Sequence, residues 1–263
     1  MKLNNKFSSG ITTISFLILF LALAANTFAR DYYQIKVYTI KNSEQESQID
    51  NYLKMAYIPA MHRAGFKTVG VFKPIETDPA KGTKIFVLIP LSKVSDIDLM
   101  EEKLSGDKEL QTTGKAYLDA SFDNAPYERI ESILLKAFSG FPDMKIPKLE
   151  TPKSEQIFEL RSYQSATEKI GKKKIEMFNT GGEIDIFKKL NANPVFFGEV
   201  LSGKEMPNLM YMTSYKNAES NQQLWQAFGN DADWKVLSAK EEYKNTVSHI
   251  DKWLLHPTDY SDI

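Results

Sequence analysis

The sequence has no cysteine, only three histidines and no excess of charge of either sign. The lack of cysteine excludes a disulfide framework, a thiol nucleophile, zinc–cysteine and iron–sulfur sites, and a lipidated cysteine. The 33 Lys and Arg residues balance 34 Asp and Glu residues. A surface that binds nucleic acid needs a basic excess, so we expect no nucleic-acid partner.

Signatures of common catalytic sites are missing as well. The motifs GxGxxG, GxxxxGK[ST], GxSxG and HExxH do not occur, and no two histidines stand three or four residues apart. The sequence therefore predicts no nucleotide-binding loop, no elbow serine and no dedicated metal site. We expect no cofactor.

The start of the chain has the pattern of a secretory signal peptide. Lys2 and Lys6 give a positive start, an apolar stretch follows from Ile14 to Ala25, and Ala29 suits the position before a cleavage site. A stretch of about 12 residues is too short to span a bilayer, which needs ~20. We expect an exported protein, periplasmic or secreted, whose mature chain starts at Arg30 and has no stable membrane insertion. An uncleaved anchor and a buried first helix are the alternatives.

The remaining chain repeats one pattern twice. Tyr33–Tyr38 and Phe158–Tyr163 alternate apolar and polar residues, which predicts half-buried strands. A helical stripe follows each strand and is interrupted near its middle, by Pro59 in the first copy and by Gly181-Gly182 in the second. A hairpin, a second helical region and a last strand complete each copy. These are predicted at 69–72, 85–91, 94–121 and 129–135, and at 195–201, 209–215, 217–243 and 246–255.

The β-α-β-β-α-β order is the ferredoxin-like plan, a four-stranded antiparallel sheet with both helices on one face. We predict an α+β fold in which the two tandem ferredoxin-like sheets close on each other into an intramolecular dimeric-type α+β barrel. Two separate units that each pair with a second chain are the alternative, and a homodimer stays open. The predicted domains are a signal peptide at 1–29, a first repeat at 30–140, a Pro-rich linker at 141–153, and a second repeat with a C-terminal tail at 154–263.

Several segments carry a family resemblance. In the first copy they are Tyr57–Gly65 and Val69–Phe72. In the second copy they are the opening strand, the hairpin, a Trp-containing helix and the tail: Phe158–Tyr163, Asn193–Leu201, Met206–Met212, Trp225–Lys235 and Pro257–Ile263. These segments resemble exported bacterial members of the NIPSNAP family, and both copies are predicted to be NIPSNAP-like repeats.

The resemblance implies a dimeric α+β barrel, a fold shared with small monooxygenase-like and haem-handling proteins. It implies no settled chemistry for the exported bacterial members. The first copy departs from the second, because Lys36 stands where the second has Arg161, and its second helical region lacks counterparts of Trp225 and Trp234. One ancestral site present twice is therefore not expected.

Strand alternation separates polar from apolar side chains on the opening strands. The polar sets include Lys36 and Tyr38 in the first copy, and Glu159, Arg161 and Tyr163 in the second. We expect the apolar sets to face the helices and the polar sets to line the barrel interior. Polar groups there need mutual pairing, water or a ligand, so these five residues are ligand-binding candidates. An internal network without a ligand is the alternative.

Two histidines complete the candidate list. His249 stands two residues before Asp251 on the last strand, so both side chains point the same way and can form a His–carboxylate couple. His62 follows the bend at Pro59. An ordinary strand residue and an ordinary helix-end residue are the alternatives, and no catalytic residue can be named.

Three functions fit these observations. The first is a small-ligand-binding or interaction module that holds a small amphipathic or anionic molecule. The second is a cofactor-independent monooxygenase-like or isomerase-type enzyme that uses a polar barrel interior. The third is a structural protein with a sealed barrel. We favour the first, because no strong nucleophile–base or metal signature supports an enzyme, and an interior pocket larger than a few waters would argue against the third.

Overall fold

The computed structural model describes residues 30–263, so the predicted signal peptide lies outside the described residues. The first unit has four strands: β1 (Tyr32–Thr39), β2 (Gly70–Pro74), β3 (Lys84–Leu91) and β4 (Arg129–Ala137). Its helices are α1 (Ser43–Tyr52), α2 (Ile58–Ala64), α3 (Asp96–Ser105), α4 (Lys108–Thr113) and α5 (Lys115–Leu118).

The second unit repeats this order. Its strands are β5 (Ile157–Gln164), β6 (Pro194–Ser202), β7 (Asn208–Tyr215) and β8 (His249–Pro257). Its helices are α6 (Glu168–Phe178), α7 (Glu183–Lys189), α8 (Ala218–Asn230) and α9 (Ala232–Ala239). Among residues 30–263, no helix is long and apolar enough to cross a bilayer.

The eight strands close into one barrel within the chain. Neighbours follow the order β1-β3-β2-β8-β5-β7-β6-β4, and β4 returns to β1. Each unit contributes a four-stranded antiparallel sheet, and the pairs β2–β8 and β4–β6 join the two sheets. The predicted fold class is confirmed, and closure needs no second chain.

Both predicted interruptions of the first helices are present. In the first unit, α1 runs into a π-helical turn over Leu53–Tyr57, and Pro59 lies in the first turn of α2. Proline has no N–H to donate, so it is tolerated at the start of a helix. In the second unit, α6 ends at Phe178 and α7 starts after Gly182, whose φ of 99° favours glycine.

The barrel interior is apolar, which makes the predicted facing of the opening strands wrong. One buried cluster includes side chains from all eight strands, among them Ile35, Phe158 and Leu160. The polar residues Glu159 and Arg161 instead lie between the sheet and the helices. Both faces of these strands are buried, so alternation separates the two sets without saying which set faces inward. The helices that face the sheet supply hydrogen-bonding partners for these polar side chains, whereas the apolar interior between the two sheets supplies none.

One end of the barrel is covered by two segments outside the strands. Met144 and Leu149 of the predicted linker pack against the interior cluster, and Ile263 of the tail belongs to it. The Lys145 N–H donates to the Val195 carbonyl over 2.9 Å, which ties the linker to β6. The predicted linker is therefore a packed cover in the structure.

The C-terminal tail crosses from the second unit to the first. The Asp262 carboxylate accepts hydrogen bonds from the Val69 N–H and lies 2.8 Å from His62 Nε2. The Val71 N–H donates to Ser261 Oγ over 2.9 Å. These bonds satisfy backbone groups beside β2 that the sheet alone leaves unpaired.

Candidate functional site

The open end of the barrel holds a cavity of about 240 Å³. Seven of the eight strands line it, with β2 as the exception, so both units build it. We call it the mouth cavity, and its lining comprises Val37, Lys84, Phe86, Glu131, Ile133, Ser162, Val200, Gly203, Lys204, Glu205, Asn208, Met210, Asp251 and Trp253.

The wall of the mouth cavity is apolar because interior-facing strand residues form it. Phe86, Ile133 and Met210 belong to the interior cluster, and Trp253 packs against that cluster. The ring centroids of Phe86 and Trp253 are 5.4 Å apart. The wall therefore suits an apolar body with a flat or chain-like shape.

Charged side chains form the rim. Glu131, Glu205 and Asp251 supply carboxylates, and Lys84 and Lys204 supply ammonium groups. Lys204 Nζ lies 3.0 Å from Glu205 Oε1. The rim carries one more acidic than basic side chain, so it does not attract anions.

The lining of the mouth cavity includes a buried polar pair. Asn208 is 8% exposed and Ser162 is 3% exposed. Asn208 Nδ2 donates to Ser162 Oγ over 2.8 Å, and Asn208 Oδ1 has no hydrogen-bond partner in the described structure. Buried polar atoms are nearly always paired, so this unpaired atom is a candidate partner for a ligand group.

Glu159 and Arg161 form an ion pair in the layer between β5 and α8. Arg161 Nη2 lies 2.6 Å from Glu159 Oε1, and the side chains are 16% and 1% exposed. Glu159 Oε2 accepts from Asn221 Nδ2 and Trp225 Nε1, each over 2.5 Å. The guanidinium stacks on the Trp225 ring at 3.7 Å from its centroid. The network is satisfied by protein groups, which supports the alternative of a ligand-free network.

Tyr163 extends the same network towards α6. Arg161 Nη1 donates to Tyr163 Oη over 3.1 Å, and the hydroxyls of Tyr163 and Tyr211 are 2.8 Å apart. Lys174 Nζ lies 2.7 Å from Glu183 Oε2, and both side chains are buried. Burial raises the pKa of the Glu183 carboxyl, and the Lys174 charge opposes that shift.

Lys36 and Tyr38 lie in the helix layer of the first unit, whereas the Arg161 network lies in the helix layer of the second unit. Lys36 Nζ is 3.5 Å from Tyr57 Oη and 5.3 Å from the ring centroid. Burial lowers the pKa of Lys36, and no carboxylate of the described residues lies within 4 Å of Nζ. Burial raises the pKa of Tyr38 to about 12, and its ring packs edge-on against Tyr127.

The structure does not bring the two candidate histidines into the mouth cavity. His249 Nε2 lies 3.2 Å from Asp251 Oδ1, so the expected couple forms, with the histidine side chain 60% exposed at the start of β8. Asp251 itself lines the cavity and also accepts from Gln164 Nε2. His62 is held by Asp262 of the tail. Among residues 30–263, no group of three His, Asp or Glu side chains could hold a metal ion.

Sequence reasoning missed the residues that line the cavity. Alternation places Ser162 on the same face of β5 as Phe158 and Leu160, which we expect to pack on the helices, and no catalytic or binding motif contains Asn208 or Trp253. One signal is available: Ser162 and Asn208 are polar residues that adjoin the apolar residues on one face of β5 and of β7. A polar residue that interrupts an apolar face marks either a buried hydrogen bond or a site.

The NIPSNAP family matches residues 158–262. This part of the chain is similar to the NIPSNAP family. The match begins in β5 and ends in the tail, so the matched segment supplies Ser162, Asn208 and Trp253 to the mouth cavity. The first unit supplies the opposite wall.

Solved structures with the same fold share little sequence with this chain. A "putative monooxygenase" from Lactobacillus acidophilus NCFM has a TM-score of 0.54 at 12% identity, over 87% of this chain and 94% of that chain. A second one, from Fusobacterium nucleatum subsp. nucleatum, has a TM-score of 0.53 at 10% identity, over 88% and 93%. These similarities establish the fold alone. No curated protein matches the chain significantly.

Proposed function

We propose that this protein binds a small amphipathic molecule in the mouth cavity. The observation that carries the proposal is the cavity itself, which has an apolar wall, a charged rim and a buried polar pair. An apolar pocket with a few convergent polar groups is the usual form of a small-molecule site. Its volume is below the ~300–1,000 Å³ of drug-sized sites, so the ligand is small.

The mouth cavity also bears on the alternative of a sealed structural barrel. Water occupies ~30 Å³ per molecule in the liquid, so a cavity of 240 Å³ could hold about eight waters. A barrel whose only task is structural gains stability by filling such a space with side chains. The open cavity therefore supports binding over a sealed barrel.

The enzyme alternative relied on polar residues inside the barrel. Arg161, Glu159 and Tyr163 lie in the helix layer and bond to protein groups. The mouth cavity retains the carboxylates of Glu131, Glu205 and Asp251, but its lining residues include no histidine. The likeness to monooxygenase-like structures is one of fold, so binding without turnover is the function that the geometry supports best.

A neutral fluorescent probe tests the proposal. N-phenyl-1-naphthylamine brightens in apolar surroundings, and Trp253 in the cavity wall can transfer energy to it. We expect saturable binding by the wild type and at least tenfold weaker binding by Val37→Phe, whose ring would occupy the cavity. Val236→Phe, on the exposed side of α9, is the matched control and should bind as the wild type does. Equal binding by all three proteins, with unchanged circular dichroism, would refute the mouth cavity as the site.

Export and the family assignment of the first unit are part of the same proposal. The leader pattern over residues 1–29 supports delivery outside the cytoplasm, where the protein would meet its ligand. The β-α-β-β-α-β order of the first unit supports a diverged NIPSNAP-like repeat. N-terminal sequencing of the protein from its native host should begin at Arg30, and a sequence that begins at Met1 would contradict export with cleavage.

A further inference from the structure

Asn208 and Ser162 line the mouth cavity and carry one unused hydrogen-bonding atom each. Asn208 Nδ2 is bonded to Ser162 Oγ, which leaves Asn208 Oδ1 without a partner. Ser162 Oγ accepts that bond and donates to no protein atom among residues 30–263, so its hydroxyl proton is also available. The pair therefore offers one acceptor and one donor to a ligand.

This conclusion does not depend on the orientation of the Asn208 amide. If the amide is rotated by 180°, its oxygen accepts from Ser162 and its NH₂ group is the unpartnered atom. Either way, one polar atom of a side chain more than nine-tenths buried has no protein partner. A ligand group that both donates and accepts satisfies the pair in both orientations.

The charges around the pair argue against an anionic ligand group there. The pair itself is neutral, Ser162 lies directly opposite Asp251 in the β5–β8 pairing, and the lining carboxylates Glu131, Glu205 and Asp251 outnumber Lys84 and Lys204. Lys204 is already paired with Glu205. A carboxylate bound at Asn208 would lose its hydration without gaining a cation, which is costly.

We propose that the ligand is a neutral amphiphile whose hydroxyl or amide group binds Asn208 and Ser162 and whose apolar body lies against Phe86, Met210 and Trp253. The proposal rests on the function proposed above and specifies its ligand class. The hydroxyl or amide forms the hydrogen bonds that the pair lacks, and the apolar body packs against the wall to which both units contribute. The rim carboxylates then select against anionic analogues of the same size.

Four eight-carbon probes with different head groups test this ligand class: 1-octanol, octanamide, octanoate and octylamine. Each competes with bound N-phenyl-1-naphthylamine at neutral pH. We expect 1-octanol and octanamide to displace the dye at concentrations at least tenfold lower than octanoate, and at lower concentrations than octylamine, because an ammonium group donates hydrogen bonds but accepts none. Equal displacement by all four, or stronger displacement by octanoate or octylamine, would overturn the proposal.

Two variants assign the preference to the polar pair. Asn208→Leu keeps the size of the side chain, and we expect the inhibition constant of 1-octanol, calculated with that variant's own dye affinity, to rise about tenfold. Ser162→Ala is a smaller change that serves if Asn208→Leu does not fold, and it should weaken 1-octanol in the same direction. Ser202→Ala, exposed at the end of β6, is the matched control. An unchanged 1-octanol preference in Asn208→Leu and Ser162→Ala would overturn the proposal.

The two proposals fail in different ways. If the dye does not bind, or binds equally well to Val37→Phe, the mouth cavity is not the binding site and the proposed function fails. If the dye binds in the cavity but the head-group order is absent, only the ligand class fails. The dye titration is therefore performed before the competition.

Discussion

The ion pair between Arg161 and Glu159 gives the sharpest test of how the helix layer is held. The change is Arg161→Met, which keeps an unbranched apolar stem and removes the charge. Glu159 would be left buried at 1% exposure with its Oε1 unpaired. Its Oε2 would keep the hydrogen bonds from Asn221 and Trp225.

The size of the effect follows from these contacts. Removal of one partner from a buried ion pair costs ~3–5 kcal/mol. Loss of the stack on Trp225 adds ~0.5–1 kcal/mol, and the two hydrogen bonds kept by Glu159 offset part of the total. We therefore expect Arg161→Met to lower the free energy of unfolding by about 3 kcal/mol.

The assay is urea unfolding followed by circular dichroism at pH 7, with the m-value checked for two-state behaviour. Arg63→Met is the matched control, because Arg63 makes a bidentate pair with Asp107 at the surface and should cost far less. The double variant Arg161→Met with Glu159→Gln should recover part of the loss, because it removes the unpaired charge. A loss of stability below ~1 kcal/mol for Arg161→Met would refute the view that Glu159 is buried and has no other cation to pair with once Arg161 is removed.

Three further predictions concern other parts of the fold. Lys36→Met should raise the free energy of unfolding at pH 7 by about 1 kcal/mol, because the desolvation of the ammonium group outweighs its attraction to Glu101, with which it makes no ion pair within 4 Å. Folding lowers the pKa of Lys36, so the free-energy cost of the buried charge is complete below the folded pKa and is relieved as the pH rises from there to 10.5. The difference in unfolding free energy between Lys36→Met and the wild type should therefore shrink between pH 7 and pH 10. A constant difference would contradict the burial of a charged Lys36. Asp262→Ala should lower stability by about 1–2 kcal/mol, because Val69 N–H and His62 lose their acceptor, whereas the exposed Asp259→Ala should cost much less in the same thermal melts. Proteolytic cleavage within 141–153 should leave halves that co-elute in gel filtration, because β2–β8 and β4–β6 still join them, and halves that elute as separate monomers would disprove closure within the chain.

The sequence was sufficient to predict the elements and their order. Period-two alternation located β1 and β5, and Pro59 and Gly182 located the breaks in the first helices, because these residues act through local backbone geometry. Predicted and observed strand ends differ by up to three residues, since pairing with a neighbouring strand sets where a ladder stops. The closed barrel followed from two uncovered sheet faces in one chain.

Which face of each opening strand points into the barrel could not be predicted in the same way. Ile35 and Leu160 could pack equally well on a helix layer or on the opposite sheet, and only the partners decide between them. Asn221 and Trp225 are more than 60 residues from Glu159 along the chain, and no local pattern links them. The mouth cavity depends on side chains from seven strands, so its position is a property of the assembled barrel.

The two strand pairs that join the sheets, β2–β8 and β4–β6, also determine what an incompletely folded chain exposes. β2 ends at Pro74, whereas its neighbour β8 begins only at His249. The first unit can therefore assemble β4-β1-β3-β2 while β2 and β4 are still unpaired on their outer edges. Open edges are templates for pairing with other chains, and contacts between segments so distant along the chain form slowly. We therefore expect barrel closure to be the rate-limiting step of folding, and the half-assembled sheet to be the species that aggregates or that a chaperone must shield.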